Sequence, residues 1–359
     1  MLIIAIENFI FFSTALALVA FLIASLARKV TDCGQERLHP HTLTRLYEAA
    51  VVLPPMIAAW LVAASLLPET WLGEAAFDAA HPAPLHHLHL LGDLTSAVEP
   101  VLAYSTLSLA AGIALFSAWS SVRAYSRVGR IIEQLEAKAP PPPPEQLTLA
   151  TATAAQHGLD VGLVMSHYPF SFVWGFRHSK LVLSSGLLHT LTPEQLCGVL
   201  KHEAAHHARR DNLMKLALSV TSYASLAFPL SRLVLRWRDE QVEMVCDEVA
   251  AVHTSAPLEI AEALIKLRRT FTTVGHISVG SATSSFVPHQ ARGFERRVQR
   301  LIDLSDTLPS SEQALALSRT HQGRVLVFAA LLALTLIALS VISPLAVHRT
   351  TEFLIHFLK

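Results

Sequence analysis

Long apolar runs alternate with polar, motif-bearing stretches along this chain. Four runs, at 8–27, 49–67, 101–122 and 325–347, are at or near the length a helix needs to cross about 30 Å of hydrocarbon. The first is not expected to be a cleaved signal. No basic residue precedes it, and Arg28 and Lys29 follow where a small-residue cleavage site would lie. Between the third and fourth runs the pattern changes. Residues 122–137 read as a helical extension, and five prolines at 140–144 as a stiff spacer. A short helix at 147–157 and strand-like runs at 162–166, 170–176 and 180–184 follow. Thr192-Pro193-Glu194-Gln195 offers an N-cap, a proline at the first helical position and a capping-box glutamine. It announces a helix reaching to about Arg210, and 239–251 reads as another. The architecture expected is an α-helical membrane protein with four transmembrane helices and an α+β domain inserted between spans three and four. The boundaries are 1–122 for the membrane domain, 123–145 for the extension and linker, 146–324 for the inserted domain, 325–347 for the fourth span and 348–359 for a short tail.

Composition agrees with a membrane protein: 52% of residues are apolar and 16% charged, with a mean hydropathy of +0.42. The formal net charge is zero, so nothing points to direct nucleic-acid binding. Basic residues set the sidedness. Arg28, Lys29, Arg37 and Arg45 follow the first span, whereas 68–100 has no Lys or Arg and carries Glu69, Glu74, Asp78, Asp93 and Glu99. Arg123, Arg127 and Arg130 follow the third span, and Arg319 and Arg324 precede the fourth. Both termini are thus expected outside and 123–324 in the cytoplasm. Cys33, Cys197 and Cys246 all fall inside, and no disulfide is implied.

The chemistry sits in His202-Glu203-Ala204-Ala205-His206, an HExxH motif. Histidines four apart share a helix face, so both imidazoles can reach one zinc ion, and Glu203 can hold and deprotonate a zinc-bound water. A third ligand is required. In the helix at 239–251, Glu243 and Asp247 share a face: one carboxylate can bind zinc while the other accepts the free N–H of a ligand histidine. Glu240 and Glu248 compete for the same role. A shared ion also forbids the apolar run 213–235 from crossing the membrane, since His206 and Glu243 would then lie on opposite sides. It is expected to be a helical hairpin broken near Pro229, packed in the catalytic domain or leaning on the membrane face.

HEAAHHARRD followed by EMVCD resembles the BlaR/MecR-type antirepressor integral-membrane zinc metallopeptidases, whose pattern is HExxH and then ExxCD. The segments 169–176 and 180–187 are similar to the stretch preceding the zinc helix in that family, and the likeness runs from the first span to the fourth. More distantly, the chain resembles HtpX-like peptidases, in which the position of Cys246 is usually Ala. The resemblance implies a zincin-type, gluzincin-like cytoplasmic domain in the bacterial inner membrane, with one zinc per chain. It implies His202, His206 and Glu243 as ligands, Glu203 as catalytic base and Asp247 as the outer carboxylate. It further implies endopeptidase action on a cytoplasmic or membrane protein, with a transcriptional repressor as a candidate partner. Antibiotic-sensing members carry a large extracellular sensor after the last span; here only 348–359 follow, and β-lactam sensing is not expected.

In metallopeptidases of this design an edge strand binds substrate in extended form, and 180–184 is the candidate. His289 or Arg292 is a candidate for stabilising the oxyanion or contacting substrate. The later arginines, Arg296, Arg297 and Arg300, read as a surface helix at the anionic inner leaflet. His207 points off the ligand face. The cluster His81, His86, His87 and His89 reads as a polar loop. The alternatives to a selective endopeptidase are a broad-specificity HtpX-like quality-control protease and a signal transducer that does not cleave. Glu203 argues against the last, because a structural zinc needs no base.

Overall fold

A computed structural model describes residues 2–33, 38–66, 105, 108, 112, 115, 116, 119, 123, 141–175, 179–274 and 291–307. In chain order, α1 is Leu2–Cys33, α2 is Pro40–Leu66 and α3 is Pro144–Gln156. Three strands follow: β1 (Asp160–Val164), β2 (Ser171–Trp174) and β3 (Lys180–Ser184). Then come α4 (Ser185–Thr190), α5 (Pro193–Arg209), α6 (Asp211–Thr221), a single 3-10 turn (Ser222–Ala224), α7 (Phe228–Thr254), α8 (Pro257–Val274) and α9 (Ala291–Thr307). The chain divides into two compact units. The expected third and fourth spans lie largely or wholly outside the described residues, as do the histidine cluster, His289 and most of the extension at 122–137.

In the first unit, α1 and α2 pack with the segment Leu218–Arg238. Phe12, Ser13, Leu16, Ala17, Ala20, Ala24 and Ala27 form the buried stripe of α1, mostly small from Ala17 on, while Leu18, Leu22 and Leu26 are exposed. From Ala17 onward, small residues inward and leucines outward invert the pattern of a water-soluble helix and let two backbones approach closely. The hydroxyls of Ser25 and Thr31 donate to the carbonyls of Phe21 and Ala27 one turn back, so α1 satisfies those polar atoms itself. Among the described residues, one helical stretch, Phe9–Asp32, is long and apolar enough to cross a membrane. Glu48 of α2 is paired with the buried Arg238 at 3.0 Å.

The second unit holds the sheet. Its order is β1-β3-β2, with β1 parallel and β2 antiparallel to β3. The strand at 180–184, expected at the edge, is therefore the central one. Leu181 and Leu183 face one apolar cluster and Val182 faces another with Val164, Phe170 and Phe172. A strand covered on both faces needs a continuous apolar run, and Leu181-Val182-Leu183 is that run. The edge strand that packs against α5 is β2. The five-proline run ends inside structure: Pro144 begins α3, and His189 lies 3.0 Å from the Pro141 carbonyl. Leu196, Val199 and Leu200 of α5 pack on Ile260, Leu264 and Leu267 of α8. Gly198 makes that crossing possible, since a Cβ there would meet Ile260 Cγ1 at 2.6 Å.

Candidate active site

Helix α5 begins as its sequence announces. Thr192 accepts from the Gln195 N–H, the Gln195 side chain returns to the Thr192 N–H, and Pro193 holds the first turn. It ends at Arg210 in the left-handed conformation, with φ of 54°. His202, Glu203 and His206 lie between, all buried. Helix α7 supplies Glu243, Cys246 and Asp247, and Val242 and Cys246 seat it against Ala205 of α5.

Three side chains converge on one point. His202 Nε2 and His206 Nε2 are 3.1 Å apart, and Glu243 oxygens lie 3.5 Å from the first and 3.6 Å from the second. Both outer imidazole nitrogens face carboxylates: His202 Nδ1 is 2.9 Å from Asp247 Oδ1, and His206 Nδ1 is 2.9 Å from Asp211 Oδ2. An ionised carboxylate only accepts, so each Nδ1 carries a hydrogen, and each Nε2 faces the shared point, where it offers a lone pair to a metal ion once it carries no proton of its own. Two lone pairs and a carboxylate repel one another unless a cation sits between them. A tetrahedral ion with ligands at about 2.0–2.1 Å has edges of about 3.3–3.4 Å. The three observed separations bracket that length, so His202, His206 and Glu243 form a group that could hold a metal ion.

A second group, His206, Asp211 and Cys246, also lies within ligand range. Burial, reinforced by Asp211 and Glu243, holds the Cys246 thiol well above its ordinary pKa. A neutral thiol is a poor ligand, and the His206 nitrogen on this side already faces Asp211. This group reads as support for the first one.

The electrostatics are dominated by Arg297 of α9. It is 2% exposed; Nε and Nη2 donate to Asp247 at 2.6 and 2.8 Å, and Nη1 lies 3.1 Å from Glu243 Oε2. The expected surface position for Arg297 is thus corrected: it is the cation buried between the two α7 carboxylates. Arg300 also has a specific partner, Glu248, at 2.7 Å. Burial alone would raise Asp247 and Glu243. Instead Arg297 on Asp247, and His206 and Arg297 on Glu243, hold each at about 2. Burial pulls His202 down, but its bonds to Asp247 and Glu243 win and raise it to about 9.

Glu203 is fully buried. Its Oε1 accepts from Ser171 Oγ of β2 at 2.8 Å, and its Oε2 is buried without a hydrogen-bond partner. Burial raises its pKa, against the pull of His202, His206 and Ser171. Beside it, Asn212 Nδ2 donates to the Val173 carbonyl at 2.8 Å and ties the start of α6 to β2. Arg292 lies in the first turn of α9, and His207 is partly buried with its pKa lowered by burial and then by Arg210. Sequence reasoning missed Ser171, Asp211 and Arg297. Only Asp211 carried a local signal, lying five residues past His206 just beyond the end of α5.

Residues 145–272 match the model of Peptidase family M48. No solved structure matches the chain. The match spans Glu203 and the three converging side chains and supports a metallopeptidase function; Arg297 lies beyond its end.

Proposed function

We propose that the chain is an integral-membrane zinc endopeptidase, with His202, His206 and Glu243 holding one zinc ion and Glu203 acting as general base. The observation that carries this is the convergence of the three donors beside a buried carboxylate whose Oε2 has no hydrogen-bond partner. When bound, zinc supplies a Lewis acid that acidifies water and polarises a peptide carbonyl. The protein's own groups do the rest. Glu203 takes the proton of the attacking water on Oε2 and delivers it to the leaving amine, while Ser171 fixes Oε1. Asp247 and Asp211 orient the two imidazoles. An extended substrate segment lies along the edge of β2 that has no neighbouring strand among the described residues, and β2 positions Ser171 beside the base. His289 or Arg292 is assigned to the oxyanion or to substrate contact on the sequence alone.

The membrane reading rests on α1, apolar over Phe9–Asp32 and with small residues inward and leucines outward from Ala17 onward. The likeness of the HExxH and ExxCD segments to BlaR/MecR-type peptidases, Cys246 included, favours a selective substrate such as a transcriptional repressor over broad quality control. The test is Glu203→Gln. The variant should keep its zinc by metal analysis and lose about a hundredfold or more in cleavage of a reporter peptide. Unchanged cleavage with zinc retained would place the activity elsewhere.

A further inference from the structure

The segment between the HExxH helix and the third donor is a helical hairpin: α6, the 3-10 turn and the first turns of α7. The break falls at Ser225–Ala227, and Pro229 sits in the first turn of α7, where its missing N–H is harmless. Two levels of α1 mark how far the hairpin reaches. At the apex, Ser13 Oγ donates to the Ala224 carbonyl at 3.0 Å, and the Leu226 N–H donates to Thr14 Oγ1 at 3.1 Å. At the base, Trp237 stacks on Phe21 at 5.8 Å and lies under the Arg28 guanidinium at 4.9 Å. Thr14 and Arg28 are about 21 Å apart along α1 at 1.5 Å per residue. Phe228, at the start of α7, and Trp237 are about 14 Å apart by the same measure. Both marks on α1 fall within Phe9–Asp32, the stretch fit to cross a membrane.

The hairpin's own chemistry matches that depth. Val220 and Leu226 are exposed, 43% and 46%, beside the apex, as are Leu18 and Leu22 on α1. Ser222 Oγ donates to the Ser219 carbonyl, so a polar group of the turn is satisfied within the turn. Charge collects at the base, where Arg238 pairs with Glu48 and Arg236 flanks Trp237. Arg232 alone lies higher. Its guanidinium bonds the Tyr223 hydroxyl at 2.5 Å and covers that ring, reaching toward the apex rather than sideways.

We propose that the α6–α7 hairpin is a re-entrant membrane element. It enters the bilayer on the Arg28 side of α1, turns within the lipid layer beside Ser13 and Thr14, and leaves on the side it entered. Acyl chains cover Val220 and Leu226. This rests on the reading that α1 spans the membrane.

The test uses the full-length, unmutated protein in phospholipid vesicles doped with a lipid carrying a diazirine mid-way along its acyl chain. After photolysis, labelled residues are mapped by mass spectrometry, with hydroxyl-radical footprinting as the aqueous counterpart. The expected result is acyl label on Val220 or Leu226 as well as on Leu18 or Leu22, with both pairs protected from hydroxyl radicals. Label on α1 with hydroxyl-radical oxidation of Val220 and Leu226 would overturn the hairpin proposal and leave the spanning helix standing. Absence of acyl label from α1 as well would overturn both.

Discussion

Without metal, a protonated His202 supplies the positive charge at the point where His202, His206 and Glu243 meet. His202 keeps that proton up to about pH 9, because Asp247 and Glu243 outweigh its burial. Zinc needs the bare Nε2, so proton and metal compete. The sign follows: lowering the pH favours the proton, and raising it toward 9 favours the metal. Zinc binding at pH 7 should release close to one proton from His202, measured by calorimetry in buffers of different ionisation enthalpy. Apparent affinity should climb by up to about tenfold per pH unit between pH 7 and 9, since one proton is exchanged. A pH-independent affinity would remove His202 from the ligand set. Arg297 is the counterpart on the carboxylate side. Arg297→Met leaves Asp247 and Glu243 buried together without their cation, a change costing about 3–5 kcal/mol. It should lower the melting temperature and weaken zinc binding about ten- to a hundredfold. Arg297→Lys should rescue poorly, because one ammonium cannot copy the two-pronged bond to Asp247. Wild-type melting and zinc affinity in both variants would show the contact to be idle.

Elements announced by short-range rules were legible; those set by distant partners were not. The capping box at Thr192 and Gln195 sets the start of α5 without any tertiary contact, and i,i+4 spacing puts His202 and His206 on one face. The order of the strands was misread because edge or centre is a matter of which neighbours arrive, although Leu181-Val182-Leu183 already carried the unalternating run of a doubly covered strand. Arg297 was misread for the same reason. Arg296, Arg297 and Arg300 look alike on an amphipathic segment until α7 engages Arg297 and Arg300 and buries the first of them. Close approach was equally hidden. A Cβ on Gly186 would stand 2.4 Å from the His167 backbone carbonyl oxygen, and Gly186 N–H itself bonds the Ser166 carbonyl at 2.8 Å. Main chain cannot swing aside as a side-chain tip can, so overpacking here outweighs the helix-propensity gain of alanine, about 1 kcal/mol. Gly186→Ala should therefore destabilise by about 1–3 kcal/mol, read as an earlier unfolding transition by circular dichroism. A transition at or above the wild-type midpoint would mean the loop at His167 yields freely.

At the scale of the whole molecule, the sidedness of the chain decides what substrate the site can meet. Residues 68–100 include acidic residues and no Lys or Arg, whereas 28–45 and the two ends of 123–324 are basic. Reporter fusions at Leu85 and at the C-terminus should therefore read outside, and fusions at Pro142 and Thr254 inside. The pair Pro142 and Thr254 is the sharper comparison, because the re-entrant hairpin lies between them in sequence. His206 precedes it and Glu243 follows it, and their side chains stand 3.6 Å apart. A chain that crossed once between them could not bring these two atoms together, whereas a hairpin that turns back inside the lipid can. Equal cytoplasmic signals at 142 and 254 are expected. Opposite signals would require an odd number of crossings between the HExxH helix and Glu243, and with it the loss of Glu243 from the site and of the zinc peptidase reading altogether.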